Sequence, residues 1–165
     1  MTGSCTTPLP ARFALPPGEP NETRSGPEWK DAPEHERQRA GILVVEDDFL
    51  IAMQMETTLR DAGFDVVGTA ATADDAISLA RETRPALAVM DIRLASERDG
   101  IDAARQLFSE FNIRCIFATA HDDVHTHARA EPFAPLGWLA KPYTPASLVE
   151  LVAKALATMN RPKQA

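Results

Sequence analysis

Five residues that could handle a phosphoryl group each sit at the end of a short apolar run. Glu46 and Asp47 follow Ile42-Leu43-Val44-Val45, and Asp91 follows Ala86-Leu87-Ala88-Val89-Met90. Thr119 closes the run 113–118, and Lys141 closes the run 136–140. Loops are polar as a rule, so any one of these residues alone would be ordinary. Together they place three carboxylates, a hydroxyl and an ammonium at one boundary of the fold. Crowded carboxylates repel one another and drive some of their pKa values up. A divalent cation removes that cost, and Mg²⁺ favours a few carboxylates completed by waters and phosphate oxygens. An aspartate in such a setting is a nucleophile towards phosphorus, giving an aspartyl phosphate. Phosphoryl transfer rests on positioning and charge neutralisation, so a metal, a lysine and a hydroxyl donor suffice around the equatorial oxygens.

The elements that must position these groups are legible from apolar patterning. Residues 42–45 form a fully apolar, β-branched run, the signature of a strand covered on both faces. Residues 49–60 carry Leu50, Met53 and Leu59 at helical spacing and end near Gly63, a helix stop. A second strand spans 65–70. Thr72 is an N-cap for a helix that turns Ala76, Ile77, Leu79 and Ala80 inward and ends before Pro85. A third strand spans 86–90, and a polar loop 93–99 leads to a helix over 101–111. Strands at 113–118 and 136–140 bracket a short helix over 122–129, cut off by Pro132 and Pro135. A last helix over 146–159 puts Leu148, Leu151, Val152 and Leu156 on one face. Five strands alternating with five helices predict a doubly wound α/β fold, a parallel sheet with helices on both faces. In such sheets the working crevice lies at the carboxyl ends of the strands, where the five residues cluster.

The segments Val44-Val45-Glu46-Asp47, Met90-Asp91-Ile92-Arg93-Leu94, Asp99-Gly100, Ala118-Thr119-Ala120 and Lys141-Pro142 together resemble the receiver domains of bacterial response regulators. Each motif is short, but their order and spacing are specific, and the match covers about residues 41–160. The resemblance implies a flavodoxin-like five-stranded sheet of order 2-1-3-4-5. It implies that Glu46 and Asp47 are an acidic pair holding Mg²⁺, and that Asp91 is the phosphoacceptor and a metal ligand. The backbone carbonyl of Arg93 becomes a further metal ligand, Thr119 the hydroxyl that moves to the phosphoryl group, and Lys141 its cationic partner. A cis Lys141-Pro142 peptide is implied too, while Asp48 receives no ligand role. Receivers usually carry Phe or Tyr three residues before the lysine as a switching aromatic; here that position is the bulkier Trp138. The loop from Asp91 to Asp99 is slightly long. Phe117-Ala118-Thr119 is similar to a Phe-Ala-Thr-Gly stretch in some single-domain receivers of alphaproteobacteria, with Ala120 replacing the glycine.

The resemblance implies a single-domain response regulator charged by a histidine kinase or phosphotransfer protein. Its output would pass through protein contact at the surface of the fourth helix, fifth strand and fifth helix, or it would act as a phosphate shuttle or sink. Outside that reading, a Mg²⁺-dependent phosphohydrolase with an aspartate nucleophile would need a second acid two residues after Asp91, where Arg93 stands. A flavodoxin-like electron carrier is disfavoured, because acidic strand ends repel a flavin phosphate. A constitutive binding module would have no need of all five groups.

Bulk properties agree with one signalling domain. The chain has 165 residues, is 44% hydrophobic and 25% charged, and carries a net charge of −7, which argues against a nucleic-acid surface. It has no apolar run of membrane-spanning length and no secretory signal pattern. Two cysteines, Cys5 and a core-bound Cys115, fit a reducing cytoplasm better than a disulfide. Residues 1–40 hold seven of the thirteen prolines and lack periodicity, which predicts a flexible leader in which Trp29 is the conspicuous residue. Residues 161–165 read as a tail. His121 and His125 stand at i, i+4, but no third ligand accompanies them, so they and His127 read as a solvated face. Arg81, Arg84, Arg93 and Arg98 are dispersed and balanced by acids.

Overall fold

The computed structural model describes residues 40–120 and 124–159. Residues 1–39 of the predicted leader, with Cys5 and Trp29, the tail, and His121 lie outside the described residues, while Ala40, the leader's last residue, packs against the core.

The described chain runs β1 (Ile42–Val45), α1 (Phe49–Asp61), β2 (Val66–Ala70), α2 (Ala73–Thr83), β3 (Leu87–Asp91), α3 (Gly100–Phe111) and β4 (Arg114–Thr119). It continues through α4 (Val124–Ala130), a 3₁₀ turn (Glu131–Phe133), β5 (Gly137–Ala140) and α5 (Pro145–Met159). The strands form one parallel sheet in the order β2-β1-β3-β4-β5. The doubly wound fold and its strand order are thus as the sequence and its resemblance imply.

Strand side chains alternate between faces, and here both faces are apolar. Leu43, Val45, Ala88, Met90, Cys115 and Phe117 point to one side, packing on Ala76 and Ile77 of α2, Ile101 and Leu107 of α3, and Ala130 of α4. Ile42, Val44, Leu87, Val89, Ile116 and Ala118 point to the other, against Met55 and Leu59 of α1 and Leu148 and Val152 of α5. Each fully buried Leu, Ile or Val contributes roughly 1.5–3 kcal/mol of transfer free energy. This two-sided burial holds the strands in the register that assembles the site. Within it, burial pushes the Cys115 thiol up to about 12.

The helix starts are set by short polar side chains. Asp48 accepts from the Leu50 and Ile51 amides at 2.8 and 3.1 Å, so the residue left without a ligand role is the N-cap of α1. Thr72 caps α2 as expected, accepting from the Asp75 amide. Asp99 caps α3 by accepting from the Asp102 amide at 2.9 Å.

The strand ends and one helix face differ from the sequence reading. Asp91 and Thr119 lie inside the ends of β3 and β4 instead of just beyond them, because the ladder outlasts the apolar runs: Asp91 pairs with Ala118, and Thr119 with Ala140. On α1, only Leu59 of the three marker residues turns inward. The buried stripe is Ala52, Met55 and Leu59, while Leu50 and Met53 are 67% and 49% exposed. At about 100° per residue, Leu50 lies roughly 160° around the helix from Ala52.

Gly100 is the first residue of α3, and its amide donates to the Ile92 carbonyl at 2.9 Å. A Cβ there would stand 2.0 Å from the Asp91 carbonyl oxygen, so a side chain would force the helix off the strand. Gly100→Ala should therefore destabilise the fold by about 1–3 kcal/mol, as overpacking against rigid backbone does, measured as a lower urea midpoint.

Candidate phosphoryl-acceptor and metal site

The sheet register decides which side chains meet. Val45 pairs with Met90, so Glu46 and Asp91 emerge side by side at the carboxyl edge of the two central strands. Thr119 emerges next to Asp91 from β4, and Lys141 follows β5. Glu46, Asp91 and Thr119 are buried, whereas Asp47 is exposed at the mouth. One carboxylate oxygen from each of Glu46, Asp47 and Asp91 lies within 4.8 Å of the others.

Lys141 reaches into this cluster. Its Nζ is 2.7 Å from Glu46 Oε2 and 3.0 Å from Asp91 Oδ2. Burial disfavours its charge, but the hydrogen bonds to Glu46 and Asp91 outweigh that, so its pKa rises and it stays an ammonium at neutral pH. The Glu46 carboxyl is pushed above its ordinary range, first by burial, with Asp91's charge adding and the Lys141 hydrogen bond opposing. One ammonium shared between two carboxylates does not neutralise both. The residual negative charge, together with exposed Asp47, makes an all-oxygen donor set that suits a hard divalent cation, and Mg²⁺ fits it.

The loop after β3 folds back over this cluster. The Arg93 amide donates to Asp91 Oδ1 at 3.4 Å, and the Ala95 amide donates to Asp47 Oδ2 at 3.1 Å. Arg98 pins the loop through Asp74 at 2.8 Å and Gln106 at 2.7 Å. The two amide contacts were not visible in the sequence, because an amide donor leaves no residue-type signal. The Lys141-Pro142 peptide is cis. Tyr143, just beyond, has a buried hydroxyl without a hydrogen-bond partner among the described residues, and burial raises its pKa.

Trp138 is half-buried, its ring stacked on Phe117 with centroids 5.1 Å apart and on His127 at 3.7 Å. His127 is therefore not part of a solvated face: it packs on Trp138, while its neighbour His125 is exposed. Arg81 and Arg84 lie over the Phe111 ring, away from the site.

A buried aspartate at the carboxyl edge of a doubly wound sheet, flanked by an acidic pair, a threonine and a lysine, defines a phospho-aspartate signalling module. The pattern of the response regulator receiver domain matches residues 42–153, and the chain belongs to that family. Receiver domains take phosphate from histidine kinases and are typically non-enzymatic. The chain is 38% identical over 117 residues to the phyllosphere-induced regulator PhyR of Methylorubrum extorquens, covering 70% of this chain and 43% of that protein. It is 31% identical over 115 residues to the transcriptional regulatory protein PdtaR of Mycobacterium tuberculosis, covering 70% and 56%. It thus spans about half the length of these curated relatives. The solution structure of the Erythrobacter litoralis PhyR receiver domain superposes with a TM-score of 0.67 at 30% identity, over 79% of this chain and 99% of that one. No helix among the described residues is long and apolar enough to cross a membrane.

Two outcomes test the site's electrostatics. Mg²⁺ at ten times its Kd should stabilise the fold by about 1.4 kcal/mol, read from thermal unfolding, and Asp47→Asn should remove most of that gain. Lys141's raised pKa means its contribution to stability is complete below the ordinary value of 10.5 and is lost as pH rises through the higher folded value. Lys141→Met should accordingly show a shallower alkaline fall in stability than the parent protein across that window.

Proposed function

We propose that the protein is a phosphorylation-dependent signalling switch whose acceptor is Asp91, charged by a histidine kinase or phosphotransfer protein. The observation that carries this reading is the buried Asp91 carboxylate held 3.0 Å from Lys141 Nζ, with the carboxylates of Glu46 and Asp47 within reach. In the transfer, an Asp91 oxygen forms the new O–P bond as the P–N bond to the donor imidazole breaks, and that imidazole takes up a proton. Lys141 then pairs with a phosphoryl oxygen in place of the carboxylate oxygen it holds at rest. The Thr119 hydroxyl, one residue beyond the Asp91 partner on β4, donates to another. Glu46, Asp47, Asp91 and the Arg93 carbonyl would hold Mg²⁺, which when bound neutralises charge on the transferring oxygens.

A protein donor needs a landing surface beside the acceptor. Phe49, Leu50 and Met53 project from the first turns of α1, immediately after the acidic pair, and all three are exposed. Next to them, Ile51, Gln54, Lys141, Pro142 and Tyr143 line a groove of about 410 Å³. An apolar patch of this kind suits the side of a donor helix laid against the site. Output belongs to the surface of α4, β5 and α5, through contact with another protein, and a phosphate shuttle or sink is the alternative use of the same chemistry. A cytoplasmic location is part of this reading. Phosphohydrolase activity is disfavoured because Arg93 stands where a leaving-group acid would be needed.

Incubation with acetyl phosphate and Mg²⁺ should produce a retarded band on a phosphate-affinity gel, absent for Asp91→Asn. Lack of the band with any small phosphodonor or cognate kinase would count against the assignment. Leu50→Glu should slow phosphorylation by the kinase or phosphotransfer partner about tenfold or more, as loss of an interface anchor does, while leaving the acetyl phosphate rate unchanged.

A further inference from the structure

The loop between β3 and α3 carries two backbone groups that bear on the acidic cluster. The Ala95 amide holds Asp47 Oδ2 at 3.1 Å, and the Arg93 carbonyl completes the proposed set of metal donors. Leu94 is buried in the core and Asp99 caps α3, so the loop is fixed at both feet. Between the feet lie residues 95–98, of which Ala95 and Glu97 are exposed. Each of these residues brings two soft backbone dihedrals, so the feet alone do not set where the Ala95 amide points.

Arg98 supplies a further constraint. Its Nη1 donates to Asp74 Oδ1 of α2 at 2.8 Å, and its Nη2 to Gln106 Oε1 of α3 at 2.7 Å. Gln106 is itself held, its Nε2 donating to Glu110 Oε1 at 2.7 Å. The Arg98 carbonyl in turn accepts from Ser96 Oγ at 2.6 Å, which closes the crest of the loop on itself. A planar guanidinium holds two acceptors in one fixed fork, which a lysine cannot do. Asp74 is 83% exposed, and an ion pair of that kind contributes little alone. The bond to half-buried Gln106 is the stronger arm.

We propose that Arg98 is a positioning residue for the metal site, fastening the loop to α2 and α3 so that the Ala95 amide stays on Asp47 and the Arg93 carbonyl stays in place as a ligand. The proposal rests on Glu46, Asp47, Asp91 and the Arg93 carbonyl being that site. Ligands ordered before the cation arrives bind it more tightly, because the entropy of ordering them is already spent on folding. Groups that orient metal ligands typically change affinity tenfold or more. Plain electrostatics works in the opposite direction. Removing a positive charge near an acidic cluster would tighten divalent binding, whereas removing a tether loosens it.

The test uses the full chain and Mg²⁺ alone, with Kd read by calorimetric titration and the metal-free loop read by hydrogen exchange of the Ala95 amide. Arg98→Gln should raise the Kd for Mg²⁺ about tenfold. It should also speed exchange at Ala95 severalfold before any metal is added, as loss of a local fastening does. Gln106→Leu changes no charge and should act in the same direction, more strongly than Asp74→Asn. Arg98→Lys, able to make one arm of the fork, should recover part of the loss. Unchanged or tighter Mg²⁺ binding by Arg98→Gln would overturn the proposal, as would a lowered melting temperature in Gln106→Leu with its Kd unmoved. Absence of Mg²⁺ binding by the parent protein would instead sink the metal-site reading on which the proposal rests.

Discussion

Glu46, Asp47 and Asp91 bring three negative charges within a few ångströms, and Lys141 supplies one positive charge among them. Two like charges about 4 Å apart repel by roughly 4 kcal/mol at an effective dielectric of 20. A flexible chain would relieve that repulsion by moving the carboxylates apart. Here they cannot separate, because Glu46 and Asp91 emerge from adjacent, hydrogen-bonded strands whose every preceding side chain is buried. The site is therefore a charge imbalance imposed by a hydrophobic sheet. That imbalance keeps Lys141 protonated and leaves a net-negative, all-oxygen cluster that suits a divalent cation.

The same logic reaches the loops. Asp99 caps α3 while Gly100 lets that helix start against the Asp91 carbonyl, so the Asp91 backbone and the helix start form one unit. Asp47 is held from the other side by the Ala95 amide, which ties the loop after β3 to the end of β1. Arg98 then fastens that loop to α2 and α3. This loop, slightly long in the sequence, is pinned at several points.

Most of the sheet was legible because its strands are continuous apolar runs, a pattern that only two-sided burial explains. Strand ends were harder to place. Asp91 and Thr119 look like the first loop residues in composition, yet backbone pairing carries β3 and β4 through them, and polarity says nothing about where a ladder stops. On α1 the apolar positions are too many for one stripe: Ala52, Met55 and Leu59 share one face at i, i+3 and i+7, and Leu50 and Met53 fall on another. The buried stripe follows from where the helix packs, and the surplus apolar residues became an exposed patch beside the site. The grip of His127 on Trp138 was likewise hidden, since a histidine in a polar helix looks solvated until β5 brings an indole beneath it.

That grip bears on how a receiver with this site can respond. A switching aromatic needs room to rotate, and the tryptophan here has a ring stacked on each side of it. Turning the indole would break two ring contacts, each worth about 0.5–1.5 kcal/mol. The charge that phosphorylation of Asp91 would add is, on the proposed function, the signal that must overcome them. Contacts worth about 1 kcal/mol each are what allow such a signal to shift a population substantially, because every 1.4 kcal/mol changes an equilibrium tenfold. The charge cluster is set by the sheet, and the freedom of Trp138 is set by the two rings stacked on it.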